Sequence, residues 1–322
     1  DGGTNGRELW KSDGTASGTV LVKDIRSGSS SSNPTGFKAV GDTLYFYADD
    51  GTHGHELWKS DGTASGTVMV KDINSGSGHS SNTQSGLPSN FFSAIGDTIY
   101  FIANDGTNGR ELWKSDGTAS GTVMVKNIRS GSYGSYDQYT NLQSAVVGNT
   151  LYFTADDGTN GRELWKTDGT SSGTVMVKDI CNGCTTHYIT ALAVLGNTVY
   201  FSADDGTNGR ELWKTDGTSS GTVMVKDIWS GSGDGSPHQT LVVGNTLYFV
   251  AHTAATNQAL WKSDGTASGT VMVKDINTAN SNPAYISEIT PLGNTIYFRA
   301  DDGIHGPELW KSDGTASGTV MV

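Results

Sequence analysis

Residues 56–70 read ELWKSDGTASGTVMV: an apolar run, an Asp-Gly-Thr turn and a second apolar run. The stretch returns almost unchanged around Trp10, Trp58, Trp113, Trp165, Trp213, Trp261 and Trp310. Successive tryptophans are 48 to 55 residues apart. A fixed period of this size means one supersecondary unit is repeated, so the unit rather than any single residue must carry the fold.

Working outward from the motif, residues 37–40 form a short apolar run and Gly41-Asp42 a turn. Residues 43–48 (TLYFYA) alternate and are rich in β-formers, and residues 49–54 (DDGTHG) make a polar loop. Each run is short, β-branched or aromatic, and bounded by Gly or Asp. No segment repeats its apolar residues at the helical period. The unit therefore reads as four strands, a to d, in an antiparallel meander. A lone meander cannot bury both faces, so units must pack face to face. Radial packing gives an all-β propeller, with a linear stack as the competing geometry. The motif tryptophans fill the spaces between blades.

The chain holds seven c–d hairpins but six a–b hairpins. This predicts six complete four-stranded blades plus one extra c–d hairpin, with a seven-bladed ring as the alternative. The whole chain, 1–322, is one propeller domain. If the hairpin at residues 8–23 completes the blade begun at residues 289–300, the hairpin at residues 308–322 is left over. A surplus hairpin carries unpaired N–H and C=O groups and invites pairing with another chain. Identical chains joined head to tail without closure make filaments.

The run ELWKSDGT, with GT and VKDI following, resembles the ELWxxDGT repeat family. The resemblance covers nearly the whole chain, with a departure at Ala259-Leu260-Trp261, where the Glu is missing. It implies a propeller-like array in a secreted or surface protein of a microbe.

Only 34% of the 322 residues are hydrophobic and 44 are Gly, which fits many short strands joined by tight turns. The net charge of −12 disfavours a nucleic-acid partner. The 21 Lys and Arg residues form no basic run, and no apolar stretch is long enough for a spanning helix, so membrane insertion is not expected. The chain begins at Asp1, within a repeat, and reads as a mature product or a piece of a longer array. Cys181 and Cys184, in CNGC, read as a local disulfide in a secreted protein. A redox pair, or a zinc site using His187, is the competing reading.

The b–c loops, typically DDGTNGRE, bring oxygen-rich side chains together. The candidates for Ca2+ are Asp49, Asp50 and Glu56; Asp156, Asp157 and Glu163; Asp204, Asp205 and Glu211; and Asp301, Asp302 and Glu308. The spacing is not that of an EF-hand loop. The plainer reading is a network of turns and Arg–carboxylate pairs, such as one made by Arg162. At residues 252–259 (HTAATNQA) both Asp and the Glu are gone while the flanking strands survive. Any metal in that blade is dispensable or replaced. No other cofactor is expected.

The d–a loops vary most. They carry Tyr133, Tyr136, Tyr139, Tyr188, Trp229 and Tyr285 as candidates for binding sugars or partner proteins, the plainer reading being that they cover the blade tops. Enzyme signals are poor. GTSSG at residues 169–173 and 217–221 matches a nucleophile elbow formally, but it lies in a hairpin turn instead of a strand-to-helix turn. The sequence predicts no enzyme. It predicts an extracellular or cell-surface structural protein that self-associates, as a filament or matrix. A carbohydrate- or protein-binding adhesin is the alternative, and a glycoside hydrolase or lyase ranks third.

Overall fold

A computed structural model describes residues 4–81, 92–136, 143–182, 184 and 189–322. The described residues contain strands and turns and no helix. Six sheets have four antiparallel strands in meander order, and a seventh has two. Blades 1 to 6 run over residues 35–71, 92–126, 144–178, 190–226, 238–275 and 287–321. The two-stranded sheet, Leu9–Lys11 with Val20–Lys23, is a half-blade that holds only a c and a d strand.

This corrects one expectation. The hairpin at residues 308–322 is not surplus, because Pro307–Ser312 pairs with Thr295–Asp301 and completes blade 6. The unmatched hairpin is the one at residues 9–23.

Period-two alternation builds the core. In blade 3, Phe153 of strand b lies opposite Trp165 of strand c, and Thr154 lies opposite Leu164. Phe153 and Trp165 therefore face one neighbour, while Tyr152 and Leu164 face the other. Trp165 packs with Tyr100, Leu112 and Val125 of blade 2, and Tyr152 and Leu164 pack with Phe201 and Trp213 of blade 4. Six such clusters join consecutive units along the chain. Apolar burial thus lies between blades.

Hydrogen bonds cross the same interfaces. The strand-d lysine of each unit donates to a Thr carbonyl of the next, as Lys71 does to Thr122 at 2.8 Å and Lys126 to Thr174 at 2.8 Å. Lys126 also lies 5.9 Å from the centroid of the Trp165 ring, an added cation–π attraction.

The c–d turn explains the repeated SDGTASGT. In blade 1, Asp61 Oδ1 accepts from Thr63 N at 2.8 Å and Thr63 Oγ1 at 2.7 Å. Thr63 Oγ1 accepts from Gly66 N, and Ser60 and Thr67 share a hydroxyl bond at 2.7 Å. The Gly after Asp takes the left-handed region, with φ of 91° at Gly217. A Cβ there would also lie 2.3 Å from the Tyr152 hydroxyl of the preceding blade. Gly217→Ala is expected to cost about 2 kcal/mol in urea unfolding. Adding Tyr152→Phe should recover only the steric share of that loss.

Candidate functional site

The b–c and d–a loops lie at one end of the blades and bond to one another. Arg26 of a d–a loop pairs with Asp49 at 2.7 Å, and Arg129 pairs with Asp156 at 2.8 Å. The expected Arg–carboxylate network is present, and these two pairs come from arginines of the d–a loops.

The acidic residues proposed as calcium ligands divide into three jobs. Asp49 and Asp156 accept from the N–H groups of Gly51 and Gly158, as Asp204 and Asp301 do from Gly206 and Gly303. Asp50 caps its loop by accepting from Thr52 N and His53 N, and also bonds His53 Nδ1 at 2.7 Å. Asp157, Asp205 and Asp302 repeat that cap. In these loops Asn160, Asn208 and His305 take the place of His53.

The Glu of ELW does something the motif alone did not disclose. Glu56, Glu163 and Glu211 are buried. Glu211 accepts from Ile228 N at 2.7 Å, Trp229 N at 3.1 Å and Gly235 N at 3.0 Å. Glu56 holds Ile73, Asn74 and Ser80 in the same way. Each is a clamp on the d–a loop that follows its own blade. Burial pushes Glu56, Glu163 and Glu211 up to about 7, against the opposing pull of the donated N–H groups. Glu308 lies exposed on blade 6. Where the Glu is replaced by Ala259, Gln258 Oε1 accepts from Ile286 N at 3.2 Å and takes over part of the clamp.

Among the described residues no three His, Cys, Asp or Glu side chains form a group that could hold a metal ion. Apart from the exposed Glu308, the candidate carboxylates are engaged by backbone donors. A chelator is therefore expected to leave the thermal midpoint unchanged, as read by circular dichroism with and without added Ca2+. A drop of several degrees on chelation would show that the loops hold calcium.

The aromatic candidates separate by exposure. Tyr136 is 2% exposed and packs against Phe153 beneath its loop, so it is a core residue and not a binding platform. Trp229 is half-buried, its ring folded so closely over Gly233 that a Cβ there would strike it. Tyr133 is 81% exposed, with the Arg129 guanidinium 5.5 Å from its ring centroid. Tyr285 is also exposed. Tyr139, Tyr188 and His187 lie outside the described residues. Cys181 and Cys184 form the expected disulfide, seated against Gly206 in the b–c loop of blade 4.

The sequence matches no protein-family model and no curated protein. The structure is similar to the propeller domains of solved prolyl peptidases. A prolyl endopeptidase matches with a TM-score of 0.50 at 12% identity, over 89% of this chain and 40% of that one. Oligopeptidase B from Leishmania major matches at 0.52 and 11%, over 97% and 44%. A Mycobacterium tuberculosis puromycin-hydrolyzing peptidase matches at 0.50 and 11%, over 98% and 50%. The chain spans half or less of the length of each. The class defined by fold and neighbours is a β-propeller of four-stranded blades, and identities this low speak to the fold alone.

Proposed function

We propose that this chain is an extracellular structural repeat protein that self-assembles, as a filament or a matrix. One observation carries the reading. Consecutive units join through one repeated set of contacts, a motif Trp packed on the preceding unit and a strand-d lysine bonded to a Thr carbonyl of the next, so unit after unit offers the same two complementary faces. Faces that repeat in this way suit the stacking of like units. The resemblance to ELWxxDGT repeats and the local disulfide support a secreted setting. The repeated polar residues serve turns, clamps and inter-blade bonds, which suits a scaffold. Electron microscopy and sedimentation of the purified chain test this: assemblies that grow with concentration are expected, and a monomer at every concentration would sink it.

The alternative, a carbohydrate-binding adhesin, is favoured by one feature. Tyr133 is an exposed ring braced by Arg129, the geometry of a stacking platform for a sugar. A glycan array comparing the chain with Tyr133→Ala separates the readings, since loss of a specific signal would favour adhesion.

A further inference from the structure

The backbones of consecutive blades approach one another most closely at their a strands, which therefore line the propeller axis. Between the a strands of blades 3, 4 and 5 lies a pocket of about 390 Å³, bounded by residues 143–144, 190–192 and 238–240. That is within the size of small-ligand sites, about 300–1,000 Å³.

Comparison with the other blades shows that this lining is particular. Pairing with strand b puts Ser144, Leu192 and Thr240 at one level, where blades 1, 2 and 6 carry Phe37, Phe92 and Ile289. Two hydroxyl side chains thus flank Leu192 where the other blades are aromatic or aliphatic. One residue earlier, Gln143 and Gln239 flank Ala191, whose short side chain leaves room between the two amides.

The backbone is shaped here as well. Strand a is bulged in blade 4 (Thr190–Leu195) and blade 5 (His238–Val243), so residues 191–192 and 239–240 leave the ladder with strand b. Ala191 and Gln239 take φ of 59° and 51°, a region that residues other than glycine seldom hold except at turns and functional sites. Bulges beside such sites re-aim side chains.

The pocket wall is tied across blades. Leu192 N donates to Gln143 Oε1 at 2.8 Å, Thr240 Oγ1 to the Ala191 carbonyl at 3.3 Å, and Gln239 Nε2 to the Ile286 carbonyl at 3.1 Å. Among the described residues, no protein group bonds the Gln143 NH2, the Gln239 amide oxygen or the hydroxyls of Ser144 and Thr190. His238 Nδ1 lies 2.9 Å from the Ser236 carbonyl, which only accepts, so Nδ1 carries a hydrogen and Nε2 of the neutral ring is an acceptor.

These groups select a ligand class. No residue lining the pocket is an Asp, Glu, Lys or Arg, so a neutral ligand suits it. Donor, acceptor and hydroxyl groups stand beside the apolar Ala191 and Leu192, which matches a molecule with hydroxyls around a C–H face. An extended peptide would need the free N–H and C=O groups of a strand edge, and here Leu192 N and the Ala191 carbonyl are already taken.

We propose that the axial pocket between blades 3, 4 and 5 binds a neutral monosaccharide. Gln143, Thr190 and Gln239 bond its hydroxyls, and Leu192 packs on its C–H face. The site is separate from Tyr133 and needs no self-assembly, so its failure would leave both readings above untouched.

Saturation-transfer NMR on the full chain tests this with glucose, galactose, mannose and N-acetylglucosamine, and with the tripeptide Gly-Ala-Gly as the peptide arm. At least one sugar should show transfer and the peptide none. Ser144→Phe places in the pocket the side chain that blades 1 and 2 carry at that level, so the circular dichroism spectrum should persist while sugar affinity falls about 10-fold or more. Thr190→Val keeps the shape, removes one hydroxyl and should weaken binding about 5-fold; it decides the matter if Ser144→Phe does not fold. Phe37→Ser, the reciprocal exchange in blade 1, should bind as the parent does, and an equal fall there overturns the proposal. No transfer to any of the four sugars overturns it, as does transfer to the peptide as strong as to any sugar. Sugar binding undiminished in Thr190→Val, or in a folded Ser144→Phe, also overturns it, because the sugar then lies elsewhere.

Discussion

Trp165→Ala is expected to destabilise the chain by about 3–5 kcal/mol and to steepen the loss of protection in blades 2 and 3 first. The indole is 7% exposed and lies between two blades, against Tyr100, Leu112 and Val125 on one side and Phe153 on its own. Truncation opens a cavity that rigid sheets on both sides cannot close, which puts the cost at the upper end for an aromatic. It also removes the ring beneath Lys126. Urea unfolding followed by tyrosine and residual tryptophan fluorescence measures the effect. Trp10→Ala is the internal control: the residue is exposed, and its loss should lie within about 0.5 kcal/mol. Equal effects at the two positions would show that the tryptophans do not act as inter-blade wedges.

The second large effect concerns the loop clamps. Glu211→Ala leaves the N–H groups of Ile228, Trp229 and Gly235 without their acceptor, two of them in buried settings. An orphaned buried donor costs about 1–3 kcal/mol, so a total loss of about 3 kcal/mol is expected, with the d–a loop of blade 4 opening first. Proteolysis within residues 229–236 reads this directly.

The clamps also fix a pH dependence. Glu56, Glu163 and Glu211 have folded values near 7, above the 4.5 of a free Glu. Between those values the native state holds more protons than the unfolded chain. Their contribution is therefore full below about 4.5 and declines as pH rises through about 7, by about 2–3 kcal/mol per site. The turn aspartates act oppositely. Hydrogen bonds from Thr63 hold Asp61 below its ordinary value, so the stability it adds fades as pH falls through that lowered value. The melting midpoint should thus peak in mildly acid solution and decline toward pH 8. In Glu211→Gln the decline should be shallower. A midpoint that rises steadily to pH 8 would contradict the account.

Much of this architecture was legible in the sequence. The alternation in TLYFYA and the spacing of the tryptophans fixed strands and blades, because side-chain direction in a strand follows from position alone. The Glu clamp was legible in principle. Glu163 sits two residues before Trp165, so it must share the buried face of the tryptophan, and a buried carboxylate needs donors. What hid it was that its partners are backbone N–H groups in loops of dissimilar sequence. Tyr136 and Tyr133 lie three residues apart in one loop, one in the core and one in water, and only the path of the loop distinguishes them. The unmatched hairpin was assigned to the wrong end because residues 9–23 and 308–322 are nearly identical in sequence. Either could have completed the final blade.

The central claim is that a blade draws its stability from its neighbours. It is tested most directly with a peptide of residues 189–236, one complete blade with its following loop, studied by far-ultraviolet circular dichroism and amide proton dispersion. The account predicts an unfolded chain with narrow dispersion and no thermal transition, since Trp213 and Leu212 would both face water. A dispersed spectrum with a cooperative melt would contradict it.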